Sequence, residues 1–243
     1  MAVKGSSTGA RVLEVFEAVA EHQPVGVAAL SRMLGIDKSA VQRALVTLAE
    51  QGWIQARDDP TTRWETTPRI LNIAHGSRAK ADLRQRIQSV LEQLALRTGE
   101  TAIFNEPSGS HLVVSQVAES QQPLRMAPRI GALVPARDSA TGRVLLPFLS
   151  PDRQTELLGE PPDADFRALL DACRSAGYAA SSEVNAPAMT IAAPVFEVEG
   201  RPIGVVAISG PAERMPSDSH ARLAELVREA AARLSDGSPQ TGP

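Results

Sequence analysis

The sequence predicts an α+β protein of two domains, a helical N-terminal domain with a β-hairpin and a larger domain on an antiparallel sheet. Three observations support this fold class. The 243 residues suffice for two domains of about 100–200 residues each. Apolar residues recur at helical spacing up to Thr98, and from Thr101 the pattern becomes that of strands. Turn residues then separate these strands from one another and from further helical segments.

Composition excludes several classes of protein. The apolar fraction of 43% is sufficient for packed cores, and only 3% of residues are aromatic, so aliphatic side chains must fill those cores. No apolar run reaches the ~18 residues of a membrane span, and the first residues lack the apolar segment of a signal peptide. The single cysteine, Cys173, allows neither an intramolecular disulfide nor a site of several thiolates. We therefore expect a cytoplasmic protein without membrane partner, metal or cofactor.

The stretch from Val27 to Gly52 predicts two short helices around a tight turn. Gly35 ends the first helix, and Asp37 caps the second. The residues predicted to face inward are Val27, Leu30, Leu34, Val41, Leu45 and Leu48. Those left on the outer face, near the start of the second helix, are Lys38, Ser39, Gln42 and Arg43. A helix-turn-helix has this layout, because its second helix enters a major groove. A helical hairpin with a solvated face is the alternative.

The next residues predict a wing beside the second helix. Strands at Trp53–Gln55 and Arg63–Glu65 are joined by a DDPTT turn, whose Asp and Pro residues favour a hairpin. Arg57 and Arg63 would then reach phosphates or a minor groove. Residues 1–78 carry 9 Lys+Arg and 8 Asp+Glu, a net charge of +1. We therefore expect modest DNA affinity per protomer and binding by at least a dimer.

Two segments flank this helix-turn-helix within the first part of the chain. We predict a loose N-terminus over residues 1–9 and a first helix from Arg11 to Glu21, and we end the DNA-binding domain, residues 1–67, at a Thr67 cap. Residues 68–80 are predicted to form a helical linker that is interrupted at Gly76. Its apolar stripe packs either on a partner chain or on its own domain, and both alternatives stay open.

The second domain is predicted over residues 81–236, with a flexible tail at 237–243. Its first helix runs from about Asp82 to Thr98 and ends at Gly99. The predicted strands are Thr101–Glu106, His111–Val117, Leu124–Met126, Tyr178–Ser182, Met189–Phe196 and Pro202–Ser209. The other predicted helices are Ala140–Leu149, Asp152–Leu158, Asp165–Ala176 and a last one from a Ser217 cap to about Leu234.

Catalytic motifs are missing from the sequence. It contains no GxSxG, Walker loop, GxGxxG or HExxH, and its four histidines have no carboxylate pattern beside them. Cys173 lies in a predicted helix and is interpreted as a small buried apolar residue. Asp58 and Asp59 resemble a carboxylate pair, but they lie in the predicted wing turn, where aspartate is favoured for conformational reasons. No catalytic residues are predicted, although groups distant in sequence can still form a site.

From Ser7 to Leu234 the chain resembles the IclR family of bacterial transcription regulators. The segments that carry the resemblance are GIDKSAVQRALVTLAEQGWI, RWETTPRILNIA, LRM…IGALVP…SATGRVLLPFL and SEVNAPAMTIAAPVFEVEGRPIGVVAISGP. The resemblance implies an N-terminal winged helix-turn-helix, a linker helix and a C-terminal GAF-like effector-binding domain. It also implies a homodimer or dimer of dimers on palindromic or repeated double-stranded operator DNA.

The resemblance further implies an effector pocket in the second domain. The matching positions are Met126, Ala140, Thr141, Ser181, Thr190, Ala207 and Ser209. Met126 matches an apolar wall, and the backbone amides of Ala140 and Thr141 match donors that suit an anionic ligand. Thr190 replaces a cysteine and Ala207 a serine of some members. Because the hydroxyl is lost at Ala207, this pocket is more apolar than in members that hold small keto acids. We expect a small organic acid or an aromatic catabolite as the effector.

Three functions are compatible with these sequence features. We favour an effector-responsive regulator of a catabolic or metabolic operon, a repressor rather than an activator. An enzyme with a catalytic second domain and a dimerising first domain is disfavoured by the exposed polar face of the second helix. A purely architectural winged-helix protein is disfavoured by the polar positions Ser181, Thr190 and Ser209, although each hydroxyl taken singly suits a local hydrogen bond equally well.

Overall fold

The computed structural model describes residues 6–58, 60–75, 78–184 and 186–235. The chain divides into two compact units, residues 1–81 and 82–243. A winged helix-turn-helix followed by an α/β domain with an antiparallel sheet confirms the predicted fold class. Among the described residues, no helix combines the length and the apolar character that crossing a membrane requires.

The first unit contains a three-helix core and a two-stranded hairpin. Its elements are α1 (Ser7–His22), α2 (Val27–Leu34), α3 (Lys38–Glu50), β1 (Ile54–Asp58), β2 (Thr62–Thr66) and α4 (Arg69–His75). The prediction of a loose N-terminus is wrong for residues 7–9, which belong to α1. The Ser6 hydroxyl oxygen accepts a hydrogen bond from the amide of Gly9 at 3.2 Å, so this serine caps a helix that begins earlier than its apolar pattern.

Aliphatic side chains from all three helices form the core of the first unit. Leu30, Val41 and Leu45 are fully buried, as the helical spacing predicts. The backbone of Val25 forms an isolated bridge with Trp64, which attaches the hairpin to this core and was not predicted from the sequence. The Thr67 oxygen accepts from the amide of Arg69 at 3.4 Å and so caps α4 as predicted. The predicted interruption at Gly76 lies outside the described residues.

A six-stranded sheet with helices on both faces forms the second unit. The remaining helices are α5 (Arg78–Thr98), α6 (Ala140–Leu145), α7 (Pro151–Leu158), α8 (Ala164–Ala176) and α9 (His220–Ser235). The strands are β3 (Thr101–Ser108), β4 (His111–Ala118), β5 (Leu133–Val134), β6 (Ala179–Ser181), β7 (Ala188–Phe196) and β8 (Pro202–Pro211). All neighbouring strands are antiparallel, in the order β5-β4-β3-β8-β7-β6.

Successive side chains along the central strands point to opposite faces of the sheet, so an apolar core forms on each face. Phe104 and Ile208 point to the face covered by α5 and α9. Val205 and Ala207 point to the opposite face, where they pack with side chains of α6, α7 and α8. The predicted core face of α5 is confirmed, since its four residues are at most 4% exposed: Ile87, Val90, Leu91 and Leu94.

Two predictions about the second unit are wrong. The segment Leu124–Met126 is not a strand; its Met126 carbonyl accepts a hydrogen bond from the Thr101 side chain at 2.6 Å. The strand that follows β4 in the chain is β5, which pairs with β4. Ser217 does not cap α9 directly, because it is the first residue of a single 3-10 turn that precedes the helix. In addition, α5 begins four residues before the predicted Asp82.

Candidate functional site

The turn between α2 and α3 is held by contacts within a few residues. Gly35 ends α2 with a φ of 65°, in the left-handed region that favours glycine. The Ser31 hydroxyl donates to the carbonyl of Ile36 at 2.6 Å. A carboxylate oxygen of Asp37 accepts from the amides of Ser39 and Ala40, each at 3.0 Å. These contacts fix the direction in which α3 leaves the turn.

The outer face of α3 exposes the four polar residues that the sequence singles out. They are Lys38, Ser39, Gln42 and Arg43. The hydroxyl of Ser39 donates to Asp37 at 2.6 Å, and a guanidinium nitrogen of Arg43 donates to that hydroxyl oxygen at 3.1 Å. The hydrogen bond from Ser39 and those from the α3 amides lower the pKa of Asp37. The first two turns of α3 therefore present four exposed polar side chains, of which Ser39 and Arg43 are oriented by Asp37. We call these four residues the recognition face.

The two arginines of the wing differ in how far their positive charge is balanced by a neighbouring carboxylate. Arg57 and Arg63 lie directly opposite each other on β1 and β2. Arg57 is 3.7 Å from the Glu65 carboxylate, which also accepts a hydrogen bond from Gln55 at 2.8 Å. A guanidinium nitrogen of Arg63 donates to the carbonyl of Pro24 at 3.4 Å. Part of the Arg57 charge is thus already balanced, and Arg63 offers the stronger field to an approaching phosphate.

In the second unit, four hydroxyl groups form a row across the sheet. They lie side by side on β6, β7, β8 and β3, in the order Ser181, Thr190, Ser209 and Thr101. The Thr190 and Ser209 oxygens are 3.0 Å apart, and the Ser181 hydroxyl donates to the carbonyl of Asp138 at 2.7 Å. Thr101 donates to the carbonyl of Met126 at 2.6 Å, which holds the loop after β4 against the sheet.

A buried ion pair fixes one end of this row. The carboxylate of Glu100, next to Thr101, accepts two hydrogen bonds from the Arg214 guanidinium at 2.6 Å each. The Glu100 side chain is 5% exposed and lies against Gly210, where any Cβ would overlap with it. The close contact between Glu100 and Gly210 on β8 places the carboxylate where Arg214 can donate to it, and these two hydrogen bonds in turn hold the carboxylate against β8.

Helix α6 lies over the row and closes the space above it. The Ser139 oxygen accepts from the amide of Gly142 at 2.9 Å, and its hydroxyl donates to the carbonyl of Pro135 at 2.5 Å. Gly142 leaves no room for a side chain, because a Cβ would overlap with the carbonyl of Ala136. The loop before α6 is thereby folded tightly onto the helix, and Ala140 and Thr141 are held in the interior.

Between α6 and the sheet lies a cavity of about 80 Å³. All seven residues that the resemblance assigns to a pocket line it: Met126, Ala140, Thr141, Ser181, Thr190, Ala207 and Ser209. Its other lining residues are Ile103, Asn105, Val114, Pro128, Val134, Ser139, Val184 and Ala188. None of the described lining residues carries a charged side chain. A ligand in this cavity would be held by neutral hydrogen-bonding groups and aliphatic contacts.

The sequence-based reasoning missed Asn105 and Ser139. Asn105 is 3% exposed, and its side-chain nitrogen donates to the Thr141 hydroxyl at 3.3 Å. A signal for Asn105 was present, since a carboxamide interrupts the apolar run of β3. Ser139 was visible only as the residue before a predicted helix. Neither residue was among those that the resemblance assigned.

Groups with other chemistry lie apart from this cavity. Burial raises the pKa of the Cys173 thiol, which therefore stays protonated as a small buried side chain. The ring of His220 contacts the carbonyl of Met215, and that of His22 contacts the carbonyl of Ala18. Within the described ranges, no three residues among His, Cys, Asp and Glu are grouped so as to hold a metal ion.

Comparison with known proteins yields matches over both units. A family model described as "Bacterial transcriptional regulator IclR C-terminal" matches residues 75–236, and the "IclR helix-turn-helix domain" matches residues 10–58. The chain is 28% identical over 240 residues to the HTH-type transcriptional regulator BhcR of Paracoccus denitrificans, covering 93% of this chain and 85% of that protein. It is 24% identical over 237 residues to the transcriptional repressor IclR of Escherichia coli, covering 91% and 86% of the two chains.

A solved structure has the same fold. It is an IclR homolog from Microbacterium hydrocarbonoxydans complexed with 4-hydroxybenzoate, with a TM-score of 0.77 and 23% identity. The match covers 95% of this chain and 98% of that one. Its likeness extends over the helix-turn-helix and the sheet domain together.

Proposed function

The chain belongs to the IclR family of DNA-binding bacterial transcription regulators, and on that premise we propose that it is an effector-responsive repressor of a catabolic or metabolic operon. The observation that carries the DNA-binding part is the recognition face, where Asp37 orients Ser39 and, through it, the exposed Arg43. Repression rather than activation is favoured by the similarity to the repressor IclR. Such a regulator acts on chromosomal DNA in the cytoplasm.

The recognition face and the wing would share the DNA contacts. Gln42 and Arg43 supply the donors that pair with base edges in a major groove. Lys38 supplies a phosphate contact at the start of α3, and the hydroxyl oxygen of Ser39 orients Arg43. Arg57 and Arg63 extend these contacts to the backbone beside the groove. Because residues 1–78 carry a net charge of only +1, one domain is a weak DNA ligand, and two recognition faces double the phosphate contacts.

We extend the proposal to a homodimer, or a dimer of dimers, assembled through the DNA-binding domain and the α4 linker. Helix α4 leaves the Ile73 side chain 56% exposed, an apolar group that a second copy would cover. Light scattering of the full chain is expected to give at least twice the protomer mass at micromolar concentration. A monomer that binds operator DNA with full affinity would contradict this part.

The cavity beneath α6 is the proposed effector site. The amides of Ala140 and Thr141 would hold an acid group, the hydroxyl row would bind a second polar group, and Met126 would cover the apolar body. The homolog with 4-hydroxybenzoate supports a small organic acid as the class of ligand. A cavity of about 80 Å³ favours a short aliphatic acid, since an aromatic ring would require the loop before α6 to withdraw.

The enzyme alternative finds no support in the cavity. Among its described lining residues there is no carboxylate, histidine or cysteine that would act as nucleophile or general base. The relatives that match the chain along most of its length are regulators.

The DNA-binding part is tested with a labelled fragment from upstream of the chain's own gene. Arg43→Ala should weaken specific binding by about 1–3 kcal/mol, because it removes a donor to a base edge. Arg222→Ala on α9 is the matched control, since it removes an exposed arginine from the other unit, and it should leave binding near wild type. If Arg43→Ala binds the fragment as tightly as the control does, the recognition face is not the DNA-binding surface.

A further inference from the structure

Asn105 is a buried carboxamide whose hydrogen-bonding capacity is only partly used. Its side chain is on β3, on the same sheet face as Ile103 and Val205, and it lines the cavity beneath α6. At 3% exposure it donates one hydrogen bond, from its nitrogen to the Thr141 hydroxyl. Among the described residues, no donor is paired with its carbonyl oxygen Oδ1, which is not one of the fully buried unpaired atoms and so remains reachable from the cavity. The cavity therefore presents an acceptor with which a ligand can pair.

Each of the other polar side chains of the cavity has a partner within the protein. Ser139 both donates and accepts, Ser181 donates to Asp138, and the Thr190 and Ser209 hydroxyls pair with each other. Asn105 Oδ1 differs from these hydroxyls in having no partner of its own, whereas the hydroxyl row can only add a second hydrogen bond to a ligand. The partner of Asn105 Oδ1 must be a hydrogen-bond donor, such as a hydroxyl group, and a ligand without one would leave the acceptor unpaired.

The position of Asn105 also restricts where that donor lies on the ligand. The carboxamide nitrogen donates to the Thr141 hydroxyl, and the backbone amide of the same residue is assigned to the acid group in the proposed function on which this inference rests. Because both groups belong to Thr141, we expect a ligand hydroxyl that pairs with Asn105 Oδ1 to lie on the carbon next to the carboxylate. The cavity volume of about 80 Å³ limits the carbon skeleton to a few atoms.

We propose that Asn105 is a specificity-determining residue of the effector pocket and that it selects short 2-hydroxycarboxylic acids over the same acids without the hydroxyl. The hydroxyl donates to Asn105 Oδ1, while the Thr141 hydroxyl keeps the carboxamide in the orientation that presents this oxygen. Deoxy acids lose the hydrogen bond and leave the buried acceptor unpaired. The aliphatic residues around Ala207 cover the remaining carbons.

The test is calorimetric titration of the full chain with three matched pairs: glycolate and acetate, lactate and propionate, 2-hydroxybutyrate and butyrate. For the wild type, at least one hydroxy acid should bind about tenfold or more tightly than its deoxy partner. In Asn105→Leu, which retains much of the volume but has no acceptor, this preference should fall to about twofold or less. If Asn105→Leu does not fold, Asn105→Ala tests the same loss of preference for the hydroxy acid over its deoxy partner.

Gln116→Leu is the matched control. Gln116 is a carboxamide on the neighbouring strand β4 with a buried unpaired Nε2, and it is not among the cavity's lining residues. This variant should keep the wild-type preference for hydroxy acids. Equal affinity for both members of every pair, binding of none of the six acids, or an unchanged preference in Asn105→Leu would each overturn the Asn105 proposal.

Failure of this proposal is distinguishable from failure of the proposed function by adding the upstream DNA fragment to the same titrations. Acids that change DNA affinity irrespective of their hydroxyl group would overturn the Asn105 assignment and leave effector-responsive repression intact. A hydroxy acid that binds through Asn105 without changing DNA affinity would support the assignment and contradict the proposed function. The two results require different readouts, heat of binding and DNA affinity.

Discussion

The recognition face and the effector pocket hold their polar groups in different ways. On α3, Asp37 orients Ser39 and Arg43, only a few residues away, so the face depends on contacts that are local in sequence. In the cavity, polar groups from β3, β6, β7, β8 and α6 meet beneath α6. Substitutions on the outer face of α3 should therefore change DNA binding with little effect on folding, whereas substitutions around the pocket should change effector binding and stability together.

The largest expected effect is on stability near the pocket. Arg214→Ala leaves the Glu100 carboxylate, 5% exposed, without its partner and should cost about 1–3 kcal/mol of unfolding free energy, since the arginine is itself 32% exposed. Arg228→Ala is the control, because its exposed pair with Glu225 should contribute no more than about 0.5 kcal/mol. Urea denaturation measures both values. Similar losses in the two variants would show that the end of the hydroxyl row does not depend on the buried pair.

An intermediate effect is expected on DNA binding at the wing. Arg63→Ala should weaken binding to operator and unrelated DNA alike and reduce the slope of log affinity against log salt by about 0.9, because one phosphate contact is lost. Arg57→Ala should have a smaller effect, since Glu65 already balances part of its charge. Fluorescence anisotropy across a salt series measures both. A larger effect at Arg57, or a loss confined to operator DNA, would contradict this account of the wing.

The smallest expected effect is a pH dependence at the α3 cap. The pKa of Asp37 is lowered in the folded protein, chiefly by the hydrogen bond from Ser39. The ionised Asp37 carboxylate therefore stabilises the folded protein fully at a pH above its pKa in the unfolded chain. This stabilisation is lost as the pH falls through its lower pKa in the folded protein. Asp37→Asn keeps an acceptor for the amides without this titration. The difference in free energy of unfolding between wild type and Asp37→Asn should shrink on acidification from about pH 5 to pH 2. A difference that stays constant over this range would contradict the prediction.

Local patterns in the sequence predicted most of the first unit. The 3.6-residue period placed Leu30, Val41 and Leu45 in the core and left the recognition face outside, because a helix fixes side-chain direction over a few residues. The earlier start of α1 was missed, since its first turn is held by the Ser6 cap rather than by apolar residues. The pairing of Val25 with Trp64 was missed because it joins distant positions.

The pocket was accessible to sequence reasoning only through the family resemblance. The hydroxyl row depends on strand register, which relates Ser181, Thr190 and Ser209 across three strands and has no local signature. The predicted strand at Leu124–Met126 was wrong because a contact distant in sequence, the hydrogen bond from the Thr101 hydroxyl to the Met126 carbonyl, holds this segment. Asn105 was visible as a polar residue in an apolar strand, but its contact with Thr141 requires the fold.

If the proposed function holds, occupancy of the cavity controls DNA binding by α3. The direct measurement is the affinity of the upstream DNA fragment for wild type and Ala207→Leu, with and without a pool of short aliphatic and aromatic carboxylic acids. Ala207 is fully buried and lines the cavity, so leucine should fill it. We expect the pool to lower wild-type affinity by about 5–150-fold and to leave the affinity of the folded variant unchanged. Wild-type affinity that ignores the pool, or an equal response in the variant, would contradict this expectation.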